Sequence, residues 1–310
     1  MILSVTPNPG IDHVVIVPGF KPGQAITHPE THTVAAGKGV SMARAARTLG
    51  ADPVCAGFLG GFMGRLHIDL TTREGLKTAW TWLDAETRTC TIIADTEQGI
   101  ATVINEPGPT VSAADWARLC QDVLREAAQA SYVSFSGSLP PGSSTEVYGD
   151  LIRALMAAGR SVFVDSSGDA LRAALAARPT AIKVNGLEAG AILGRPVKTL
   201  AEALEAAAEL RQRGIDLVAL TLGERGAVMV SKDGQWMARP PRLQHIVSAV
   251  GSGDSFFAGL VSSLEAGLAL AEALCRAVAA GAANALSAAA GEFQASQFAA
   301  ILAESVVEKC

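Results

Sequence analysis

Short apolar runs alternate along the chain with longer stretches in which apolar residues recur at helical spacing. Several of these runs end in Gly, Ser, Asp or Asn. Apolar strands that alternate with helices are typical of a mostly parallel sheet covered on both faces, and such sheets bind ligands beyond the carboxyl ends of their strands. The predicted strands cover residues 2–6, 53–60, 132–137, 161–168, 181–186 and 217–223.

Two of the helical stretches indicate which of their faces packs inward. In the first, the spacing predicts an inward face made of Trp116, Leu119, Cys120, Val123 and Leu124. In the second, it predicts a face made of Leu200, Leu204 and Leu210, with the helix stopping at Gly214. Apolar residues three and four positions apart lie on one side of a helix, so each set can cover the sheet.

Residues 12–34 and about 86–106 depart from this rhythm. Both segments contain β-branched or alternating residues, and no helical stretch interrupts the second. We expect a small antiparallel sheet inserted into the α/β body as a lid or an interface, with ordinary edge strands as the alternative. One domain over residues 1–310 then accounts for the chain.

Composition and charge narrow the kinds of partner. The 310 residues are 49% apolar, enough for one large domain or two small ones, and the net charge is −5. An acidic chain lacks the basic footprint that a nucleic acid requires. No apolar stretch reaches the length of a membrane span. We therefore expect neither nucleic acid nor a membrane as a partner.

The cysteines and the start of the chain predict a cytoplasmic location. The cysteines are odd in number and form no C-x-x-C pair, which favours reduced thiols over disulfides or a zinc site. The residues after Met1 lack the basic segment and apolar core of a secretory leader. The cysteines are Cys55, Cys90, Cys120, Cys275 and Cys310.

The sequence lacks the common phosphate-binding loop G-x-x-x-x-G-K-[ST]. Gly39 follows Lys38 where Ser or Thr is required, and His32 stands at the position of the first glycine. Residues 35–50 instead read as a glycine turn that runs into a helix. Lys38 lies where helix-start amides already favour an anion. The alternative is a plain helix start with a solvated lysine.

The segment VGSGDS, residues 250–255, places a carboxylate where a glycine turn becomes a helix. Gly251 and Gly253 allow backbone N–H groups to converge into an anion-binding concavity, and the helix directs its positive end there. Asp254 could then accept a proton from an attacking hydroxyl while the amides stabilise a transferring phosphoryl group. The alternative is that Asp254 only caps the helix.

Two further segments have both a structural and a functional interpretation. Asn185 followed by Glu188 has the spacing of a capping box, but the same pair could hold a hydrated Mg²⁺. Residues 221–228 read as a strand, a glycine turn and a strand. This segment could cradle a nucleotide or form a simple hairpin.

Taken in order, these motifs resemble the ribokinase-like sugar kinases of the phosphofructokinase-B branch. The resemblance implies a three-layer α/β/α fold with a mostly parallel central sheet and a small β-sheet lid, which in many members pairs with a partner's lid to form a homodimer. It implies ATP-dependent phosphorylation of a sugar-phosphate hydroxyl with Mg²⁺, and leaves a monovalent cation open. The matching segments are 6–15, 36–39, 57–78, 86–89, 105–109, 136–142, 164–171, 183–190, 221–227, 250–259 and 277–285.

The resemblance also implies roles for single residues. Asp254 is the implied base, beside an anion hole lined by Gly251, Ser252 and Gly253. Asn185 and Glu188 are implied to organise Mg²⁺ through water. The nucleotide side is implied to comprise Lys183, Asn185, Thr221, Gly223, Gly226 and Asn284. The substrate side is implied to comprise Asp12, Gly37, Lys38, Gly39, Ser41, Arg88 and Ser138, with Lys38 and Arg88 on the phosphate already present.

Four positions depart from the family pattern. Val184 replaces a proline, Ser41 stands where an asparagine usually reaches the sugar, Gln24 replaces a basic residue of some members, and Val103 replaces a frequent polar residue. The last three lie on the substrate side. Kinase activity is therefore a firmer expectation than the identity of the sugar.

Lys38 favours members that act on fructose 1-phosphate or tagatose 6-phosphate, and Arg88 adds a planar fork suited to a phosphate dianion. The leading hypothesis is conversion of fructose 1-phosphate to fructose 1,6-bisphosphate. Tagatose 6-phosphate and fructose 6-phosphate are close alternatives. Two more distant ones are a kinase of an unphosphorylated sugar or nucleoside, which the two cations disfavour, and a non-catalytic binding protein, which Asp254 disfavours.

Overall fold

The computed structural model describes residues 1–310, which form fourteen strands and ten helices. The strands are β1 (Ile2–Thr6), β2 (Gly10–Val17), β3 (Glu30–Ala36), β4 (Pro53–Gly60), β5 (Lys77–Leu83), β6 (Arg88–Asp95), β7 (Ile100–Asn105), β8 (Tyr132–Ser136), β9 (Ser161–Asp165), β10 (Ala181–Asn185), β11 (Leu217–Thr221), β12 (Ala227–Ser231), β13 (Gly234–Arg239) and β14 (Val306–Lys309). The helices are α1 (Lys38–Thr48), α2 (Gly61–Arg73), α3 (Ala113–Ala127), α4 (Thr145–Ala157), α5 (Gly168–Ala177), α6 (Gly186–Leu193), α7 (Leu200–Arg211), α8 (Ser252–Glu265), α9 (Leu270–Asn284) and α10 (Ala295–Glu304).

The larger sheet has ten strands in the order β14-β13-β12-β11-β10-β9-β8-β1-β4-β5. Every pair from β5 to β11 is parallel, and β12, β13 and β14 add antiparallel strands at one edge. The six strands predicted from the apolar runs all lie in the parallel part. The prediction of a mostly parallel sheet is confirmed.

Helices cover both faces of this sheet because successive strand side chains point to opposite sides. On β1, Leu3 and Val5 join a core packed by α3 to α7, whereas Ile2 joins a core packed by α1, α8, α9 and α10. The result is a three-layer α/β/α body, as the family resemblance implies. None of its helices combines the length and the apolar character needed to cross a membrane.

Two predicted helix faces differ from the observed ones. On α3, Trp116, Leu119 and Val123 are buried, but Cys120 is only half-buried and Leu124 is 39% exposed. The packed stripe is therefore narrower than predicted. On α7, Leu200 and Leu204 are half-buried, while the buried face consists of Ala203, Ala206, Ala207 and Leu210. Small alanines let the helix approach β11 and β12 closely, so they take the place that the leucines were expected to fill.

The smaller sheet has the order β3-β2-β6-β7, and the lid is confirmed as a separate sheet. The prediction that it is antiparallel is wrong for its central pair, because β2 and β6 run parallel, with Gly10 opposite Arg88. The chain leaves the lid after β3, builds α1 to β5 in the body, and re-enters beside the start of β2. Both strands therefore run away from the body, whereas the outer pairs are antiparallel.

The topology places a crevice at the carboxyl edge of the parallel strands. From β1, the sheet continues through β4 and β5 on one side and through β8 to β11 on the other. The strand order thus reverses between β1 and β8, and in open α/β sheets ligands bind at such a point. Thr6, Ser136, Asp165, Asn185 and Thr221 end five of these strands.

Candidate active site

The turn before α8 is shaped by glycines. Gly251 caps the helix with φ of 82°, in the left-handed region that favours glycine. A Cβ at Gly251 would lie 2.5 Å from the Cα of Ala290, and one at Gly253 would lie 2.9 Å from Nζ of Lys183. Gly251 therefore requires the absence of a side chain, whereas a side chain at Gly253 would displace the ammonium group of Lys183. Ser252, the first residue of α8, has a buried hydroxyl with no hydrogen-bond partner.

Asn284 holds this turn from behind. Its side chain is fully buried; Nδ2 donates to the carbonyl of Val250 over 2.8 Å, and Oδ1 accepts from the amide of Gly291 over 2.7 Å and from the hydroxyl of Ser255 over 3.0 Å. The structure thus places Asn284 beneath the glycine turn rather than on the surface of the crevice. Its contacts fix the shape of the turn.

Asp254 is half-buried at the third position of α8, and no side-chain hydrogen bond caps that helix. The interpretation as a simple cap is not what the structure shows. Burial raises the pKa of Asp254 to about 7, the negative charge of Asp165 adds to the rise, and Lys38 and Lys183 oppose it. A carboxylate with a pKa near neutrality is suited to take a proton from a hydroxyl.

Asp165 is a site residue that the sequence reasoning left without a role. It is fully buried at the carboxyl end of β9, with Nζ of Lys183 at 3.2 Å and Nζ of Lys38 at 3.6 Å. Attraction to Asp165 is the main cause that raises the pKa of Lys38, with further contributions from Asp254 and Glu188. A signal was available, because the apolar run of β9 ends in a carboxylate at the edge where ligands bind.

The two lysines have different exposure. The Lys183 side chain is only 4% exposed, whereas that of Lys38 is 39% exposed. Lys183 therefore balances the buried charge of Asp165 beside Gly253, while Lys38 reaches from the start of α1 toward the open crevice. The structure brings Lys38, Lys183, Asp165 and Asp254 into one cluster.

Asn185 and Glu188 form the capping box that their spacing predicts. Oδ1 of Asn185 accepts from the amides of Leu187 and Glu188 at 3.0 and 2.9 Å, and Oε2 of Glu188 accepts from the amide of Asn185 over 2.8 Å. Oε1 of Glu188 accepts no hydrogen bond within the protein, and the charge of Glu188 contributes to the raised pKa of Lys38. The chain gathers no group of three His, Cys, Asp or Glu side chains able to hold a metal. A single free carboxylate oxygen fits a hydrated Mg²⁺, which takes few protein ligands.

Residues 221–226 connect two antiparallel strands, so the hairpin interpretation is the correct one for their backbone. Thr221 lies directly beside Asn185 in the sheet register. Gly223 has φ of 61° and no atom in the way of a side chain, whereas Gly226 has φ of 100° and packs against the carbonyl of Ala238. The tip of the hairpin is thus open, next to the capping box of α6.

The glycines around Lys38 serve packing. Gly37 caps α1 with φ of 125°, and a Cβ there would lie 2.9 Å from Cγ2 of Thr6. Gly39 packs against the side chains of Ser4 and Thr6. These glycines therefore let α1 approach β1, which brings Lys38 to the end of the sheet. Ser41, one turn further on, is buried, and its carbonyl packs against Gly291.

The remaining substrate-side residues lie at the base of the lid. Asp12 on β2 stands opposite Cys90 on β6; burial raises the pKa of Asp12, and Arg88 and Arg44 oppose the rise. Nη1 of Arg88 donates to the carbonyl of Glu106 over 3.1 Å, and its buried Nε has no partner. Arg88 therefore keeps N–H groups available for an anion. Ser138 is exposed in the loop after β8.

The site combines a half-buried carboxylate, a glycine turn and two lysines at the carboxyl edge of a parallel sheet, an arrangement suited to phosphoryl transfer. The family model of the pfkB family carbohydrate kinases matches residues 7–296, and the chain belongs to this family. It is an ATP-dependent sugar phosphate kinase. The family resemblance read from the sequence is confirmed.

Individual relatives agree with this assignment. The 1-phosphofructokinase of Haloferax volcanii is 37% identical over 280 residues, which cover 88% of this chain and 87% of that protein. The 1-phosphofructokinase of Haemophilus influenzae is 32% identical over 278 residues, covering 90% and 88%. The structure of phosphofructokinase-2 from Escherichia coli in complex with substrates and products aligns with a TM-score of 0.91, at 27% identity over 98% of each chain.

Proposed function

We propose that this protein is a 1-phosphofructokinase, which transfers the γ-phosphoryl group of ATP to the 6-hydroxyl of fructose 1-phosphate. The observation that carries this proposal is the cluster of Asp254, Asp165, Lys38 and Lys183 at the glycine turn of α8. The relatives named 1-phosphofructokinase support the choice of sugar, since they match most of the chain at 32% and 37% identity.

In the proposed reaction, Asp254 takes the proton of the 6-hydroxyl as that oxygen bonds to the γ-phosphorus. The bond from this phosphorus to the bridging oxygen breaks, and ADP leaves with the electron pair. The backbone amides of Gly251 and Gly253 have no other acceptor and would face the phosphoryl group, whereas the amide of Ser252 donates to the carbonyl of Ala249 over 3.3 Å. The start of α8 adds its positive end. Lys183 balances the charge of Asp165 beneath the transferring group.

The nucleotide side follows from the same edge of the sheet. Thr221 and Gly223 lie beside Asn185, and the open hairpin tip leaves room for a ligand. Mg²⁺ held through water by Glu188 would neutralise the charge of the ATP phosphates when bound. Asn284 contributes indirectly, by holding the turn that carries Asp254.

The substrate side is proposed to use the base of the lid. Asp12 would accept hydrogen bonds from sugar hydroxyls, and Arg88, with Ser138 and Lys38, would hold the phosphate of the substrate. The partnerless Nε of Arg88 supports this role. Tagatose 6-phosphate and fructose 6-phosphate remain the competing substrates, because Ser41 and Gln24 depart from the family pattern on this side.

The test is an ADP-coupled assay with Mg²⁺ against fructose 1-phosphate, tagatose 6-phosphate, fructose 6-phosphate and free fructose. We expect the highest kcat/KM with fructose 1-phosphate and little turnover of free fructose. A preference for another sugar phosphate would change the proposed substrate but leave the proposed roles of the site residues unchanged. A preference for free fructose or a nucleoside would overturn the phosphate-binding role. Repeating the assay in potassium and in sodium buffer tests for a monovalent-cation requirement.

We also propose that the lid pairs with the lid of a second copy to form a homodimer in the cytoplasm. All six residues of β7 are exposed, and Ile100, Val103 and Ile104 are 56%, 45% and 56% exposed. Ile100 and Ile104 lie on one face of the strand and Val103 lies on the other, and exposed apolar side chains that share a face favour a protein contact. Light scattering should give twice the chain mass for the wild type, and a monomer for Ile104→Glu. A monomeric wild type at all concentrations would exclude the dimer.

The five free cysteines suit a reducing compartment, which supports the proposed cytoplasmic location.

A further inference from the structure

Asn8 lies between the body and the sugar-phosphate end of the site, and the reaction outlined above gives it no role. It follows β1 by two residues and is 5% exposed. Its Nδ2 donates to the carbonyl of Pro107 over 3.0 Å and to the hydroxyl of Ser138 over 3.3 Å. The amide group of Asn8 thus connects three parts of the chain: the end of β1, the loop after β8, and residues 106–112, which lead from β7 back to the body and are called the return segment below.

The return segment is tied in turn to Arg88. The carbonyl of Glu106 accepts from Nη1 of Arg88, and Oε2 of Glu106 accepts from the amide of Thr89 over 2.8 Å. Glu106 immediately precedes Pro107. A displacement of the Pro107 carbonyl would therefore move the acceptor that orients Arg88. Asn8 is connected by short paths to two residues of the proposed phosphate site.

The amide of Asn8 is suited to this position by its donors. Two N–H groups are needed to bind two acceptors, and neither Leu nor Asp can supply them. Oδ1 of Asn8 packs against Gly108, whose φ of 93° and lack of a side chain permit the close approach. An Asn at this point fixes the geometry of the return segment without adding a charge beside the substrate phosphate.

We infer that Asn8 is a positioning residue for recognition of the sugar phosphate, acting through Ser138 and through the Glu106–Arg88 contact. This inference rests on the proposed function. It predicts a loss in sugar-phosphate affinity that does not extend to ATP, since the contacts of Asn8 lie on the lid side of the crevice.

The test compares Asn8→Ala, Ser138→Ala and the double variant in steady-state kinetics. Loss of hydrogen bonds of this type should raise KM for fructose 1-phosphate by about fivefold to tenfold in Asn8→Ala. We expect kcat and KM for ATP to stay within about twofold of the wild type. Because Asn8 acts partly through Ser138, the double variant should show less than the product of the two single effects.

Tyr132→Phe is the matched control, because it removes one hydrogen bond between elements, from Tyr132 to the carbonyl of Leu264, at the opposite end of β8. It should leave both KM values unchanged. If Asn8→Ala fails to fold, Asn8→Asp keeps the side-chain size without the amide donors and should also raise KM for the sugar phosphate. Equal changes in both KM values, or fully multiplicative single effects, would overturn the inference.

Hydrogen exchange separates this inference from the proposed function. In Asn8→Ala without substrate, the amides of Glu106, Gly108 and Thr110 and those of β6 should exchange faster than in the wild type, whereas Tyr132→Phe should not change them. Unchanged exchange would refute the positioning role whatever the substrate. A wild type that phosphorylates none of the sugar phosphates would refute the proposed function, and the exchange result would still decide the role of Asn8.

Discussion

The phosphoryl-transfer end and the sugar-phosphate end of the crevice are built differently. At the transfer end, Asp165 and Lys183 are buried and paired over 3.2 Å on the neighbouring strands β9 and β10. At the sugar-phosphate end, Arg88 and Asp12 lie on the neighbouring lid strands β6 and β2, and β7, which pairs with β6, is exposed along its whole length. The contacts that hold the side chains at this end are few. Arg88 donates to the carbonyl of Glu106, and the side-chain amide of Asn8 donates to Ser138.

This difference indicates which end of the crevice tolerates amino-acid substitutions. A buried ion pair tolerates loss of one partner poorly, because an unpaired charge is left behind. Exposed lid positions carry no such penalty. The departures from the family pattern at Gln24 and Val103 fall on lid segments, while the transfer end keeps its base, turn and capping box. Substrate choice can therefore vary while the transfer chemistry stays fixed.

The largest effect should come from the transfer end. Asp254→Asn removes the proposed general base, and a general base contributes at least about a hundredfold to the rate. We expect kcat to fall by that amount or more, while ATP binding measured by calorimetry persists. The control is Asp150→Asn, which changes an exposed carboxylate on α4. An unchanged kcat in Asp254→Asn would remove Asp254 from the mechanism.

The second prediction concerns the lid end. Arg88→Ala removes a charged donor for the substrate phosphate, and bonds of this kind contribute roughly tenfold to a hundredfold in affinity. KM for fructose 1-phosphate should rise by that factor, with KM for ATP little changed. Arg88→Lys keeps the positive charge but loses the planar pair of guanidinium donors, so its KM for fructose 1-phosphate should lie between those of the wild type and Arg88→Ala. Retained affinity for the sugar phosphate in Arg88→Ala would place the phosphate elsewhere.

The third prediction links Asp165 to the pH dependence. The pKa of Asp254 is raised to about 7, so its basic form accumulates as the pH rises, and kcat/KM should rise through about pH 7. The charge of Asp165 contributes to the raised pKa of Asp254. The variant Asp165→Asn should therefore move the acid limb of the profile of kcat/KM against pH to lower pH. Ionisation of the substrates is common to both proteins and cancels in the comparison. A limb at the same pH in both would show that the two carboxylates are not coupled.

The smallest effect concerns the support beneath the lid. His67 is buried, contacts the carbonyl of Ala36 at the end of β3, and its pKa is lowered from 6.5 to about 4, mainly by burial. The unfolded chain therefore binds a proton below pH 6.5 that the folded chain does not, and the free energy of unfolding falls as the pH drops from 6.5 to 4.

His67→Gln keeps a donor for Ala36 and removes this titration. Denaturant titrations at several pH values should show a weaker loss of stability between pH 6.5 and 4 in the variant. The same loss in both proteins would assign it to other groups.

The sequence predicted the parallel strands because each is a short apolar run bounded by Gly, Ser, Asp or Asn. It did not predict the parallel pairing of β2 with β6, since the direction of a strand depends on where the chain re-enters the lid. The faces of α3 and α7 were predicted imperfectly, because periodicity marks apolar residues and not the distance to the neighbouring layer.

The candidate site was predictable where a motif is local. Gly251, Gly253 and Asp254 lie within four residues, and so do Asn185 and Glu188. Asp165 received no role because its partners, Lys38 and Lys183, are distant in sequence, and only the order of the strands brings them together. The packing function of Gly37 and Gly39 against β1 was likewise visible only in three dimensions.

The hydrogen bonds of Asn284 to Val250 and Gly291, called the Asn284 clasp here, have a consequence for synthesis of the protein. The proposed base lies at position 254, and the contacts of Asn284 with Val250 and Gly291 hold the turn that carries it. A chain emerging from the ribosome completes the lid and the parallel strands long before this clasp can close. Nascent chains therefore contain most of the sugar-phosphate end without a positioned base. The arrangement of the candidate site therefore depends on residues 284–291, which are among the last to be translated.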